Sequence, residues 1–383
     1  MNPTTPPPVR VLYLAGSGRS GSTLITTVLG QLDGGFAAGE LRYLWQRGIF
    51  DNRPCGCGAA FDDCPVWRSV LADLPGGAGR SELSGRSELS GRSELSGRSE
   101  LSGGAELSGG AELSGPAGAP DASGIARRLR TRLRMRDLPA LLRRVSTGRR
   151  AVPEHPDDAA IAALYLAIAR QVRRSGPGPV VVVDSSKLPP YGALLRDLPG
   201  IDLRVLHLVR DPRGTAFSWR RRRGLDGSGD ERLMSRPPVW KAALLWRVWN
   251  AATRRLFESA GPERYLRIRY EDVVADPAAG LRRIAEFAGL DPAGLPLDAD
   301  GRVRLAPTHS VAGNPARHRT GAIAITDDAE WIRTLSGWSY AVVTAVTWPL
   351  LRRFGYPVRR PAPAPERTPV PPPSPALTKE GTT

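Results

Sequence analysis

Eight small, mostly polar residues, Gly16-Ser17-Gly18-Arg19-Ser20-Gly21-Ser22-Thr23, follow an apolar stretch from Val9 to Ala15. Glycines let a backbone curl so that successive N–H groups face one anion. Ser20, Ser22 and Thr23 add hydroxyl donors, Arg19 adds a cation, and a helix beginning near Ser22 adds its positive end. Gly18, Arg19, Ser20, Gly21, Ser22 and Thr23 therefore read as a cradle for a phosphate-like group. The loop departs from the G-x-x-x-x-G-K-[ST] pattern, which would place lysine where this chain has Ser22. That lysine serves the β- and γ-phosphates of a nucleoside triphosphate. The loop thus suits a phosphate held without the usual triphosphate–metal apparatus.

A second anion site lies far along the chain. Leu206-His207-Leu208-Val209 leads into Arg210-Asp211-Pro212-Arg213, with Ser218 eight residues after Arg210. Arginine at a strand end can pair bidentately with phosphate, and a serine two helical turns on lies on the same face. Read without a ligand, Arg210 is a strand-end salt bridge, and Arg213 or Arg220 to Arg223 form a solvated helix face.

These two segments, in this order, resemble the 5′-phosphosulfate and 3′-phosphate motifs of sulfotransferases. The glycine loop is similar to the arginine-bearing form in the Golgi carbohydrate and tyrosylprotein enzymes. Arg269-Tyr270-Glu271-Asp272-Val273, followed by a helix from Asp276-Pro277 to Gly289, resembles a further family segment, with a structural role for Tyr270 to Val273. Arg319-Thr320-Gly321 is similar to the family's C-terminal R-x-G, which makes Arg319 and Gly321 cofactor-binding candidates. The resemblance spans Val9 to about Gly355. It implies PAPS as donor, released as PAP, and chemistry that requires no metal. It also implies two catalytic residues. Glu40, in Phe36-Ala37-Ala38-Gly39-Glu40, stands where the tyrosylprotein branch carries its base, and Lys187 stands where that branch carries a catalytic lysine at a strand end. His309 is the competing base, whereas His207, within a strand, reads as a core or paired histidine. Cys55, Cys57 and Cys64 offer three thiolates to a metal without an evident fourth ligand, and reduced, partly buried thiols are the preferred reading.

Elements must bring these segments together. Val9 to Ala15, Pro179 to Asp184, Leu203 to Val209 and Leu266 to Tyr270 read as strands, with helices after Thr23, Asp211-Pro212 and Asp276-Pro277. Alternating strands and helices imply an α/β fold, a P-loop-like doubly wound parallel sheet with helices on both faces. We expect one domain over 9–356, a disordered start over 1–8 and a proline-rich disordered tail over 357–383. A low-complexity insertion over 76–120 should interrupt the domain, because Gly79 to Gly115 repeats GRSELS four times and GGAELS twice.

The 383 residues are 41% hydrophobic, enough for a sizeable core, and carry a net charge of +16 that suits anionic partners. Val9 to Ala15 is too short for a signal-peptide core, and no apolar run spans a membrane, so a cytoplasmic protein is expected. The rivals are a P-loop small-molecule kinase and a nucleic-acid-binding protein built on the Arg-rich stretch from Ala126 to Arg150. The missing lysine opposes the first. Missing aromatics for base stacking oppose the second, and no nucleic-acid partner is expected. The acceptor stays open between glycan, lipid, peptide and small metabolite.

Overall fold

The computed structural model describes residues 7–75, 120–176, 178–220, 237–326 and 329–362. Most of the repeat insertion, of the start and of the tail lies outside them. In chain order the elements are β1 (Val9–Ala15), α1 (Ser22–Leu29), β2 (Gly35–Gly39), α2 (Pro65–Ala72), α3 (Ala122–Thr131), α4 (Leu138–Ser146) and α5 (Asp157–Ser175). Then come β3 (Val181–Lys187), α6 (Pro189–Asp197), β4 (Ile201–Val209), α7 (Pro212–Arg220), α8 (Val239–Phe257), β5 (Tyr265–Arg269), α9 (Tyr270–Ala275) and α10 (Pro277–Ala288). Strands β6 (Val303–Leu305) and β7 (Gly321–Ile323) and helices α11 (Glu330–Thr334) and α12 (Gly337–Arg353) complete the described chain.

Five strands form one parallel sheet in the order β2-β3-β1-β4-β5. Alternation decides which face each side chain serves. Val9, Val11 and Tyr13 of β1 enter a core shared with α5 and α6, through residues such as Ile161, Tyr165 and Leu194. Leu12 and Leu14 enter the opposite core with Ile25 and Val28 of α1 and Leu281 and Ile284 of α10. Both faces are thus covered, which is why β3 can begin with three fully buried valines.

Because the strands are parallel, their carboxyl ends open on one edge. The glycine loop leaves β1, Glu40 follows β2, Lys187 ends β3 and Arg210 follows β4. Four distant sequence segments therefore meet at one edge.

Several arginines are structural. Arg213 is fully buried, correcting its alternative reading as part of a solvated face. It pairs with Asp211 at 2.5 Å and donates to the Pro357 carbonyl at 2.9 Å. Arg128, inside the Arg-rich stretch, is buried against Asp158 at 2.7 Å. Glu271 accepts the Asp211 N–H and the Tyr356 hydroxyl, each at 2.8 Å, which ties the start of α9 to the start of α7. Among the described residues, no helix is long and apolar enough to cross a membrane.

Candidate functional site

The glycine loop and the Arg210 segment touch. The Arg210 guanidinium donates to the Arg19 carbonyl at 3.1 Å and lies over the Tyr270 ring at 4.8 Å. Arg19 holds φ 68° and sits over the Trp219 ring at 5.1 Å. Positive φ is costly for a residue with a Cβ and marks a position held by its surroundings. Lys187, with φ 65°, is another such position. Ser20, Ser22, Arg210 and Ser218 are all buried. Ser17 and Thr215 are also buried, and their hydroxyls find no hydrogen-bond partner among the described residues. Unsatisfied buried hydroxyls beside a curled loop and a buried guanidinium fit a bound phosphate, because such groups are costly when left alone.

The two catalytic candidates are in direct contact. Lys187 Nζ lies 2.6 Å from Glu40 Oε1 and also donates to the Ser185 carbonyl at 3.0 Å. Both side chains are mostly buried. Burial alone would raise the Glu40 pKa, but Lys187, Arg47 and Arg317 outweigh it and hold the carboxyl below the ordinary glutamate value. An ammonium has three N–H donors, and two are used here.

Glu40 is placed by backbone contacts with a segment far along the chain. Its N–H donates to the Ala312 carbonyl at 3.3 Å, and the Val311 N–H donates to the Ala38 carbonyl at 3.1 Å. At Gly39, with φ 77°, a Cβ would stand 2.9 Å from the Ala312 carbonyl oxygen, so no larger residue fits without movement. A cleft beside this contact is lined by Thr23, Thr27, Gly39, Ser185, Ser310 and Arg317. Arg317, which the sequence reading did not select, is buried and donates to the Pro54 carbonyl at 2.7 Å. Arg319 and Gly321, which it did select, are exposed, and Gly321 opens β7. The buried cation of this segment is thus Arg317.

The competing histidines have other partners. His207 is buried between Tyr265 at 2.7 Å and Asn250 at 2.8 Å, and burial lowers its pKa to about 4. His309 Nδ1 lies 3.3 Å from Cys64 Sγ, which engages it with the cysteines.

Behind Lys187 lies a buried polar network. Asp184 accepts from Tyr165 at 2.5 Å, from the Ser186 N–H at 2.7 Å and from the Ser186 hydroxyl at 2.6 Å. Burial raises the Asp184 pKa to about 6 against these hydrogen bonds, with the Glu40 charge adding to the rise. The native protein therefore holds a proton that the unfolded chain has released. This favours folding most below pH ~4, and the advantage is lost as pH rises to about 6. A shift from 3.8 to about 6 corresponds to at most ~3 kcal/mol. Urea unfolding of the parent and Asp184→Asn should show the parent losing stability relative to the variant between pH 4 and 7. A constant difference would contradict the shifted carboxyl.

The sequence model of the Sulfotransferase family matches residues 119–293. Among curated proteins, carbohydrate sulfotransferase 2 of Homo sapiens is 34% identical over 144 residues, which is 29% of this chain and 26% of that protein. Carbohydrate sulfotransferase 7 of Mus musculus is 32% identical over 152 residues, 29% of this chain and 31% of that protein. The aligned stretch thus spans less than a third of either relative. Among solved structures, the sulfotransferase domain from the Synechococcus PCC 7002 olefin synthase aligns with 93% of this chain and 98% of its own, at 20% identity and a TM-score of 0.47.

Proposed function

We propose that this chain, whose residues 119–293 match the sulfotransferase family and which is similar to carbohydrate sulfotransferases, moves the sulfuryl group of PAPS to an acceptor hydroxyl and releases PAP. The observation that carries this reading is the Glu40–Lys187 pair beside the joined glycine loop and Arg210.

In this reading the loop from Gly18 to Thr23 holds the 5′-phosphosulfate end, with Arg19, Ser20 and Ser22 as donors. Arg210 and Ser218 hold the 3′-phosphate, where a guanidinium can make two parallel charge-assisted hydrogen bonds. Glu40, kept ionised, takes the proton of the attacking hydroxyl. Lys187 offers its third N–H to the bridging oxygen on which negative charge grows as the S–O bond breaks. Retaining the ion pair keeps the base charged while the ammonium serves the leaving group. A glycan acceptor is the favoured class, supported by the carbohydrate sulfotransferases among the relatives and by the net charge of +16, which attracts acidic glycans.

PAP at a hundred times its dissociation constant should stabilise the fold by about 2.7 kcal/mol. ATP with Mg²⁺ should do far less, because Ser22 stands where the triphosphate lysine would be. A thermal melt that shifts with ATP–Mg²⁺ and not with PAP would return the chain to the kinase reading. Incubation with sulfur-labelled PAPS and a glycan panel then tests transfer itself.

A further inference from the structure

Cys55, Cys57, Cys64 and His309 converge although His309 lies 245 residues beyond Cys64. One ligand-type atom from each, three sulfurs and a ring nitrogen, all lie within 4.8 Å of one another. Cys57 Sγ is 3.9 Å from Cys64 Sγ, and His309 Nδ1 is 3.3 Å from Cys64 Sγ and 3.9 Å from Cys55 Sγ. A tetrahedral zinc ion with Zn–S of about 2.3 Å and Zn–N of about 2.0–2.1 Å sets sulfurs about 3.8 Å apart and sulfur and nitrogen about 3.6 Å apart. The Cys57–Cys64 separation lies close to the first value, and the two His309 separations bracket the second.

We propose that these four residues bind one zinc ion in a closed structural site that fixes the segment beside Glu40. The donor set, three cysteines and one histidine, is one of the established tetrahedral combinations. A ring nitrogen close to two sulfurs, with a third within 4.8 Å, suits a cation better than it suits neutral thiols, which make only weak hydrogen bonds. The surrounding backbone is shaped as a knuckle. Cys55 N–H donates to Ala59 at 2.8 Å, and Gly58 N–H returns to the Cys55 carbonyl at 2.9 Å. Gly56 N–H donates to the Ser310 carbonyl at 2.9 Å, and a Cβ at Gly56 would meet Thr308 O at 2.6 Å. The Trp67 indole donates to the His309 carbonyl at 2.7 Å. Such outer contacts orient ligands and commonly accompany metal sites.

The site has a mechanical consequence. It joins the loop of 51–64 to the segment of 309–317, and that segment hydrogen-bonds Ala38 and Glu40 through Val311 and Ala312. Zinc would therefore hold the base-bearing strand end without touching the reacting groups. Four ligands leave no open position, so the ion takes no part in sulfuryl transfer.

The test is metal analysis of the chain purified without chelator. About one zinc per chain is expected, and cobalt replacement should give the visible bands and thiolate charge transfer of a tetrahedral site. Cys57→Ser should weaken zinc affinity, measured by chelator competition, by more than the 10–100-fold that loss of an outer partner costs. Should that variant fail to fold, metal content and the cobalt spectrum of the parent remain decisive. A metal-free parent, a Cys57–Cys64 disulfide found by non-reducing mass spectrometry, or unchanged zinc affinity in Cys57→Ser would each overturn the assignment. None of these readouts depends on sulfuryl transfer, so failure here and failure of the proposed function can be told apart.

Discussion

Glu40→Gln should lower turnover by roughly 10²–10⁴-fold, the usual worth of a positioned base, while PAP should bind about as tightly as to the parent. Glutamine preserves the shape and can still accept from Lys187 Nζ, which lies 2.6 Å from Glu40 Oε1 in the parent. It cannot take a proton from the acceptor. Burial opposes ionisation of Glu40, yet Lys187, Arg47 and Arg317 together keep it ionised below the ordinary glutamate range. The acid limb of kcat/KM in the parent should therefore lie below the ordinary glutamate range, since activity would disappear only as this lowered carboxyl is protonated. Arg210→Ala should give the complementary result, weakening PAP first, because it would remove the proposed charged phosphate contact. Near-parent turnover in Glu40→Gln, or an acid limb in the parent close to an ordinary imidazole near 6.5, would remove Glu40 from the base role.

The sheet was legible where strands are apolar runs. Val9 to Ala15 and Leu203 to Val209 lie buried between two layers, and burial on both faces leaves a continuous hydrophobic signature. Strand β2 gave no such signature. Gly35-Phe36-Ala37-Ala38-Gly39 has one good strand former, and it is a strand because β3 offers a parallel ladder on its flank. Its existence explains why Glu40 reaches the same edge as Lys187. The phosphate segments were readable because their chemistry is local: a loop and a helix start. The contact between Arg210 and Arg19 spans 191 residues, and that between His309 and Cys64 spans 245. Spacing along a chain carries no information about such pairs. Likewise, only the fold shows that Arg317 of this loop turns inward while Arg319 is exposed.

Lys187→Ala should cost about 10²–10³-fold in turnover, the usual loss when one donor to a developing oxyanion is removed. The variant should also change the pH profile. Lys187 is the largest of the charges that lower the Glu40 pKa, and the burial that raises it remains in the variant. The carboxyl pKa then rises, so the acid limb of kcat/KM moves to higher pH. Glu40 and Lys187 touch, so their substitutions should not add: the double variant Glu40→Gln, Lys187→Ala should fall well short of the product of the two single losses. The reason is physical. Once the base is gone, the lysine no longer has a charge to maintain, and only its contact with the leaving oxygen is left to lose. Fully multiplicative losses, with an unmoved acid limb in Lys187→Ala, would show that the ion pair stabilises the strand ends without joining the reaction.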